Sequence, residues 1–261
     1  MASASINELF GATLLGTYDD DAPWEAVHTL RKLGTREVFD VAASWCKSGD
    51  PLKRARGLDV LAQLGKTTDH PVNNFPDETY AIVSEIVQRE EELRPLSSAI
   101  YALGHLDNRD AVPLIVRLRD HSSAEIRYAV AFALGSFPND DLAVQTLLPL
   151  TNDTDEDVRD WATFGIGVLG DQDSPSIRDA LYRCLSDANE DVREEAMVAL
   201  GKRRDQRMLP LLRQAVSGDE IKVRVAEAAS LLLGMEKDPP NWGAEEYRNA
   251  LDERFPERVS T

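Results

Sequence analysis

Cysteine and histidine are scarce in this chain, and aromatic residues are few. Cys46 and Cys184 are far apart, and both fall in helical, largely apolar stretches. Neither a disulfide framework nor zinc-ligand spacing is present, so both read as buried free thiols. His28, His70, His105 and His121 have no neighbouring His or Glu at metal-ligand spacing, which excludes a helix-borne metal pair. Asp153-Thr-Asp155-Glu-Asp157 has the acids of a calcium loop but not its turn glycine, and its twelfth position is Phe164; it reads as a solvated capping turn. No P-loop, dinucleotide glycine pattern or Gly-x-Ser-x-Gly occurs, so no catalytic constellation and no cofactor is expected. No apolar run approaches the roughly 20 residues that span a bilayer. The start lacks a basic n-region, and residues 9–15 are too short and mixed for a signal core, so a cytoplasmic, reducing setting is expected. Positive charge is also short: Lys+Arg number 29 against Asp+Glu 46, a net charge of −17. That excess opposes binding to a phosphate backbone and to anionic membranes.

What the chain has in abundance is repetition. Glu190-Asp-Val-Arg193 runs on to Ala-Leu-Gly201, Ala124-Glu-Ile-Arg127 to Ala-Leu-Gly135, Glu156-Asp-Val-Arg159 to Gly-Ile-Gly167, and Ile221-Lys-Val-Arg224 to Gly234. Looser copies end at Gly34, Gly65 and Gly104. A fixed period of this length means stacked units, each packing on its neighbours. Each unit reads as two antiparallel helices. In the clearest, Ser174-Pro175 opens a first helix through Ile177, Leu181 and Leu185. A second helix starts near Asp191, and Gly201 reads as its closing C′ glycine. The opening acids at 156–157, 190–191 and 219–220 are expected to cap the second helices and meet their dipoles. An insertion, residues 66–76, holds Thr, Asp, Asn and two prolines and cannot be helix throughout. The first hairpin is drawn from residues 6–16 and 24–33. After residue 234 the pattern breaks at Asp238-Pro-Pro, and a short amphipathic helix near 244–254 is placed as a C-terminal cap. The expected fold is all-α: a right-handed α-solenoid of about seven helical hairpins over residues 1–234, closed by a capping segment, 235–261.

The Asp/Glu-x-Val/Ile-Arg openings at Arg127, Arg159, Arg193 and Arg224, with Ala and Leu-Gly downstream, resemble the HEAT repeat family, in particular its bacterial PBS-lyase HEAT-like branch. The resemblance is strong over residues 105–234. Before Gly104 it is weaker, because Arg94-Pro95 replaces the usual opening and Lys53-Arg54-Ala-Arg56 leaves the register open. The resemblance implies a solenoid that presents a long surface to a partner. It also implies that the four arginines belong to the repeat itself, each bridging to an acid in the adjacent turn as a structural ladder; the alternative is four arginines forming an anion site. Some proteins with these repeats are bilin lyase subunits, so an open-chain tetrapyrrole is the second reading of the binding surface. The iron enzyme deoxyhypusine hydroxylase shares the fold, but its His-Glu pairs are absent here. Relatives of the alkylpurine DNA glycosylase type use a cationic groove, which the acidity of this chain opposes.

A helical wheel sharpens the surface. With the motif arginine as zero and about 100° per residue, positions +1 and +5 of the second helix point away from its apolar face. In a HEAT stack that direction is the concave groove. Position +5 is Tyr101, Phe132 and Phe164 in successive repeats; position +1 adds Tyr128, and Trp161 lies on the flank. Asp160 and Glu194 take position +1 in the next two repeats. An aromatic stripe with acidic neighbours suits a protein or peptide partner carrying apolar and basic residues. The competing account is packing between neighbouring second helices. The expected role is a non-enzymatic scaffold or adaptor.

Overall fold

Several predicted helix starts are matched by a side chain that satisfies free backbone N–H groups. In the computed structural model, which describes residues 4–235 and 241–256, Asp50, Asp140, Asp155 and Asn189 each accept from N–H groups just inside a helix. Ser174 does the same for Ile177 at 3.3 Å, with Pro175 as first helical residue. The caps are therefore the residues just before the opening acids. Glu156, Asp157, Glu190 and Asp191 lie in the first turns, where carboxylates meet the positive helix end. At 219–220 the expectation fails, because that helix begins at Val223, after Lys222, and its first turn carries no acid.

Among the described residues all regular structure is helical. The chain falls into two compact units, one up to Phe137 and one from Pro138. The first holds four hairpins: α1 (Ile6–Ala12) with α2 (Asp21–Leu33), α3 (Arg36–Trp45) with α4 (Pro51–Ala62), α5 (Pro76–Val87) with α6 (Leu93–His105), and α7 (Val112–Val116) with α8 (Ala124–Gly135). The second holds three: α9 (Asp141–Leu150) with α10 (Glu156–Phe164), α11 (Pro175–Cys184) with α12 (Glu190–Lys202), and α13 (Leu209–Ala215) with α14 (Val223–Leu233). A final helix, α15 (Ala244–Arg254), packs on α14, where the Tyr247 hydroxyl and Ser230 Oγ are 2.7 Å apart. The Asp238-Pro-Pro break and residues 257–261 lie outside the described residues. No described helix is long and apolar enough to cross a membrane.

In each unit the second helices form a row: α2 on α4, α4 on α6 and α6 on α8 in the first, α10 on α12 and α12 on α14 in the second. Their seams are lined by fully buried Leu, Ile, Val and Ala. The repeated glycine serves these seams. A Cβ on Gly104 would sit 2.8 Å from Ala133 Cα, and one on Gly201 would sit 2.6 Å from the Ala228 carbonyl oxygen. Gly201 is thus a helical residue in the last turn of α12 that admits α14, which corrects its reading as a closing C′ glycine. Gly34 and Gly234 do close helices, in the left-handed region at φ 60° and 83°. Past Phe164, residues 165–169 form one wide turn, whose carbonyls at Ile166 and Gly167 accept from the buried Arg203 guanidinium at 2.9 and 2.8 Å.

The 66–76 insertion is anchored at its far end. Asn73 is buried and donates to the Leu61 carbonyl at 2.6 Å, and Asn74 donates to the Gly34 carbonyl at 2.8 Å. Phe75 then packs on Phe39 at 4.9 Å between ring centroids. At its near end the Lys66 ammonium donates to the His105 carbonyl.

Candidate functional site

The residues singled out on the second helices divide between the two units. In the first, Tyr101 on α6 meets Tyr128 and Phe132 on α8 edge-on, with centroids 6.5 and 5.2 Å apart. Phe132 also faces His105 at 5.6 Å. All four side chains are half-buried. They therefore combine both sequence readings: the rings pack across the α6–α8 seam and still present a face to solvent. Burial raises the Tyr101 phenol above its ordinary pKa. Burial, with Arg31 and Lys66 nearby, pushes His105 down to about 4, so its imidazole is neutral at pH 7.

The same unit holds a polar cluster that sequence reasoning missed. Arg54 donates to the Ser48 carbonyl six residues back at 3.1 Å. Arg127, Arg159 and Arg193 make the same six-residue contact at 3.0, 3.0 and 2.8 Å. This identifies Arg54 as the motif arginine of α4 and puts Asp59, not an aromatic, at +5. Asp59 is buried and accepts from the Tyr18 hydroxyl at 2.6 Å. Arg56, fully buried, donates to the carbonyls of Thr13 (2.9 Å) and Tyr18 (2.6 Å) and stacks 3.9 Å over the Tyr18 ring. Arg94 covers the same ring at 4.4 Å. Tyr18 comes from the α1–α2 connection, and no sequence pattern announced it. The ambiguous basic run at 53–56 was the only signal.

In the second unit, Trp161 and Phe164 on α10 are half-buried and meet edge-on at 5.6 Å. Asp160 is half-buried beside them, and its Oδ1 is buried without a hydrogen-bond partner. Burial first, then the charges of Glu195, Asp191 and Asp157, push its pKa up to about 6. Glu195 Oε2 is likewise buried and unpartnered, and burial raises that carboxyl too. Glu194 is taken by the Lys222 ammonium at 2.8 Å.

The four repeat arginines hold structure. Arg159 binds Asp187 of the next hairpin bidentately at 2.7 and 2.9 Å, and Arg224 binds Glu195 of the preceding one. Arg127 donates to the carbonyls of His121 and Ser122, and Arg193 to those of Asp187 and Ala188, pinning the turn before each second helix. Acid bridges to a neighbouring hairpin are thus described for Arg159 and Arg224, while Arg127, Arg159 and Arg193 clamp the turn before their own helix.

Two overlapping stretches, residues 81–167 and 145–232, match the family model described as HEAT repeats. The protein YibA of Escherichia coli K12 is 26% identical over 232 residues, which span 87% of this chain and 80% of YibA. Its X-ray structure matches with a TM-score of 0.73 at 23% identity, covering 96% of this chain and 92% of that one. Phycocyanobilin lyase subunit alpha of Thermosynechococcus vestitus is 26% identical over 146 residues, 56% of this chain and 53% of that protein. A designed armadillo repeat protein in complex with the peptide (KR)4 matches with a TM-score of 0.51 at 15% identity, covering 76% of this chain and 98% of that one. At these identities the structural likeness speaks for the fold, a helical-repeat solenoid.

Proposed function

The chain belongs to the HEAT repeat family, and from that footing we propose that it is a non-catalytic scaffold or adaptor that holds a protein or peptide segment against its second helices. The observation that carries this reading is the half-buried aromatic cluster Tyr101–Tyr128–Phe132, packed well enough to be rigid and open enough to meet a guest. Rigid aromatics that keep one face in water are the usual anchors of interfaces. In the second unit Trp161 and Phe164 share α10 with Asp160, and Glu194 takes the equivalent position on α12. With a net charge of −17, this favours a partner carrying apolar and basic residues, disfavours nucleic acid and anionic membranes, and speeds encounter with cationic chains. The two buried thiols suit a reducing compartment such as the cytoplasm. The designed armadillo neighbour that holds a (KR)4 peptide is a precedent for the chemistry, not a homologous function.

The test is capture of partners by the wild-type chain and by Tyr101→Ala/Phe132→Ala and Trp161→Ala/Phe164→Ala, each first checked for folding. Loss of an anchor ring from a working interface costs about 2 kcal/mol or more. A partner lost with one pair places the contact in that unit, whereas full retention by both variants rejects the aromatic face. The similarity to a phycocyanobilin lyase subunit favours one second reading, an open-chain tetrapyrrole on the same rings. A shifted visible absorption band on adding bilin, abolished in the Tyr101→Ala/Phe132→Ala variant, would select it.

A further inference from the structure

Beside the acidic residues of the second unit, the end of α11, α12, α13 and the approach to α14 line an open cleft of about 630 Å³, a volume typical of ligand-binding clefts. Its floor is apolar: Met197 and Val225 are buried, and Leu211 and Ile221 are half-buried. Its rim carries Glu190, Glu194 and Glu220. The Arg193 guanidinium is spent on the carbonyls of Asp187 and Ala188, at 2.8 Å each. The other lining cation, Lys222, projects from the residue before α14 and is 55% exposed. Its ammonium lies 2.5 Å from Glu190 and 2.8 Å from Glu194. An exposed lysine thus stands at the edge of an apolar hollow, held between two carboxylates.

We propose that this cavity docks a partner polypeptide segment in which an aliphatic residue adjoins a lysine or arginine. The aliphatic side chain fills the hollow, and its neighbour's cation takes the place of Lys222 between Glu190 and Glu194. The occupant follows from charge and shape together. Exchanging one cation for another keeps the same ion pairs at the rim, so the swap itself is close to neutral. The gain comes from removing aliphatic surface from water. The acidic excess around the rim steers a basic segment and repels an acidic one. This inference rests on the reading that the partner is a polypeptide, and it adds a contact distinct from the aromatic rings.

The experiment titrates the full chain into a fluorescein-labelled peptide of alternating leucine and lysine, read by anisotropy, with a leucine–glutamate peptide as control. Binding of the basic probe that weakens with salt, and none of the acidic one, is expected. Glu190→Gln/Glu194→Gln weakens binding roughly tenfold, the loss of two charge contacts, one exposed at Glu190 and one largely buried at Glu194. Lys222→Ala tightens it severalfold, because the internal competitor is gone; a gain cannot arise from misfolding. Failure of the wild-type chain to bind the basic probe overturns the proposal, as does indifference to both cavity variants. Should Tyr101→Ala/Phe132→Ala alone abolish binding, the cavity is rejected while the aromatic face stands. Should the cavity variants behave as stated while no natural partner responds to the aromatic variants, the cavity stands and the aromatic face falls.

Discussion

Asp160 is a carboxylate held where its charge is poorly solvated, with an unpartnered Oδ1 and three acids near it. In an unfolded chain such a group ionises near 3.9, and here it is pushed up to about 6. Between those values the folded state binds the proton more tightly than the unfolded one. Its contribution to stability is therefore full below about 4 and is lost as pH rises through about 6. Asp160→Asn, which keeps the shape and removes the charge, should raise the urea midpoint at pH 8 and change it little near pH 4. An equal shift at both would show that ionisation is not the cause. Asp187 is the opposite case. Its hydrogen bonds from Arg159 hold its carboxyl below the usual range, so its contribution is present above about 4 and fades as pH falls further. Both side chains are largely buried, at 16% and 11% exposure. Removing the bidentate partner should therefore cost about 2 kcal/mol, the scale of charge-assisted hydrogen bonds. Arg159→Ala is predicted to lower stability by that amount at pH 7, with the deficit shrinking below pH 4; unchanged thermal stability would refute a structural role for the repeat arginines.

At the scale of the element, the second helices approach closely because glycine and alanine face each other across the seams. Gly201→Ala puts a methyl 2.6 Å from a backbone oxygen of α14. That oxygen cannot move without α14, so the substitution should destabilise by about 1–3 kcal/mol, although alanine is the better helix former. Gly218→Ala, where the nearest atom is 3.8 Å away, is the control, and equal losses in chemical denaturation would reject the close-approach account. The 66–76 insertion behaves as an element in its own right. Asn73→Ala removes a buried side chain that donates to the Leu61 carbonyl and accepts from the Phe75 N–H, and should cost about 1–2 kcal/mol, so the insertion is more than a surface connection that could be trimmed freely. The hairpins and most helix starts were legible in the sequence because each depends on residues within one repeat, whereas the capping residues themselves were misplaced by one position and Gly201 was misread. The cluster of Tyr18, Asp59 and Ser98 was not legible, because Tyr18 is 41 and 80 residues from the other two and lies in a connection, outside every repeated helix. Helical periodicity set the aromatic residues apart from the main apolar face but left packing and partner contact as alternatives, because the choice depends on how closely α6 approaches α8.

For the whole molecule the dominant fact is charge. Many of the 46 acids are paired: Glu90 with Arg54, Asp187 with Arg159, Asp179 and Asp205 with Arg207. With only 29 cations, the pairing leaves an excess of 17 negative charges. Added salt acts on both populations. It weakens exposed ion pairs, each worth about 0–1 kcal/mol, and it screens repulsion among the unpaired acids, which lowers the cost of holding them in one compact chain. The stronger pairs here are partly buried and screened least, while the excess acids lie mainly at exposed helix starts and turns. Self-repulsion should therefore respond more, and the melting temperature should rise between low salt and about 0.15 M. The same change should slow association with a basic partner, because steering fades over the same range. Thermal melts and association rates measured across one salt series test both signs at once. A melting temperature that falls with salt would mean that the ion-pair network outweighs the charge excess. An association rate indifferent to salt would mean that the acidic surface does not select the partner, and that apolar contacts alone hold it.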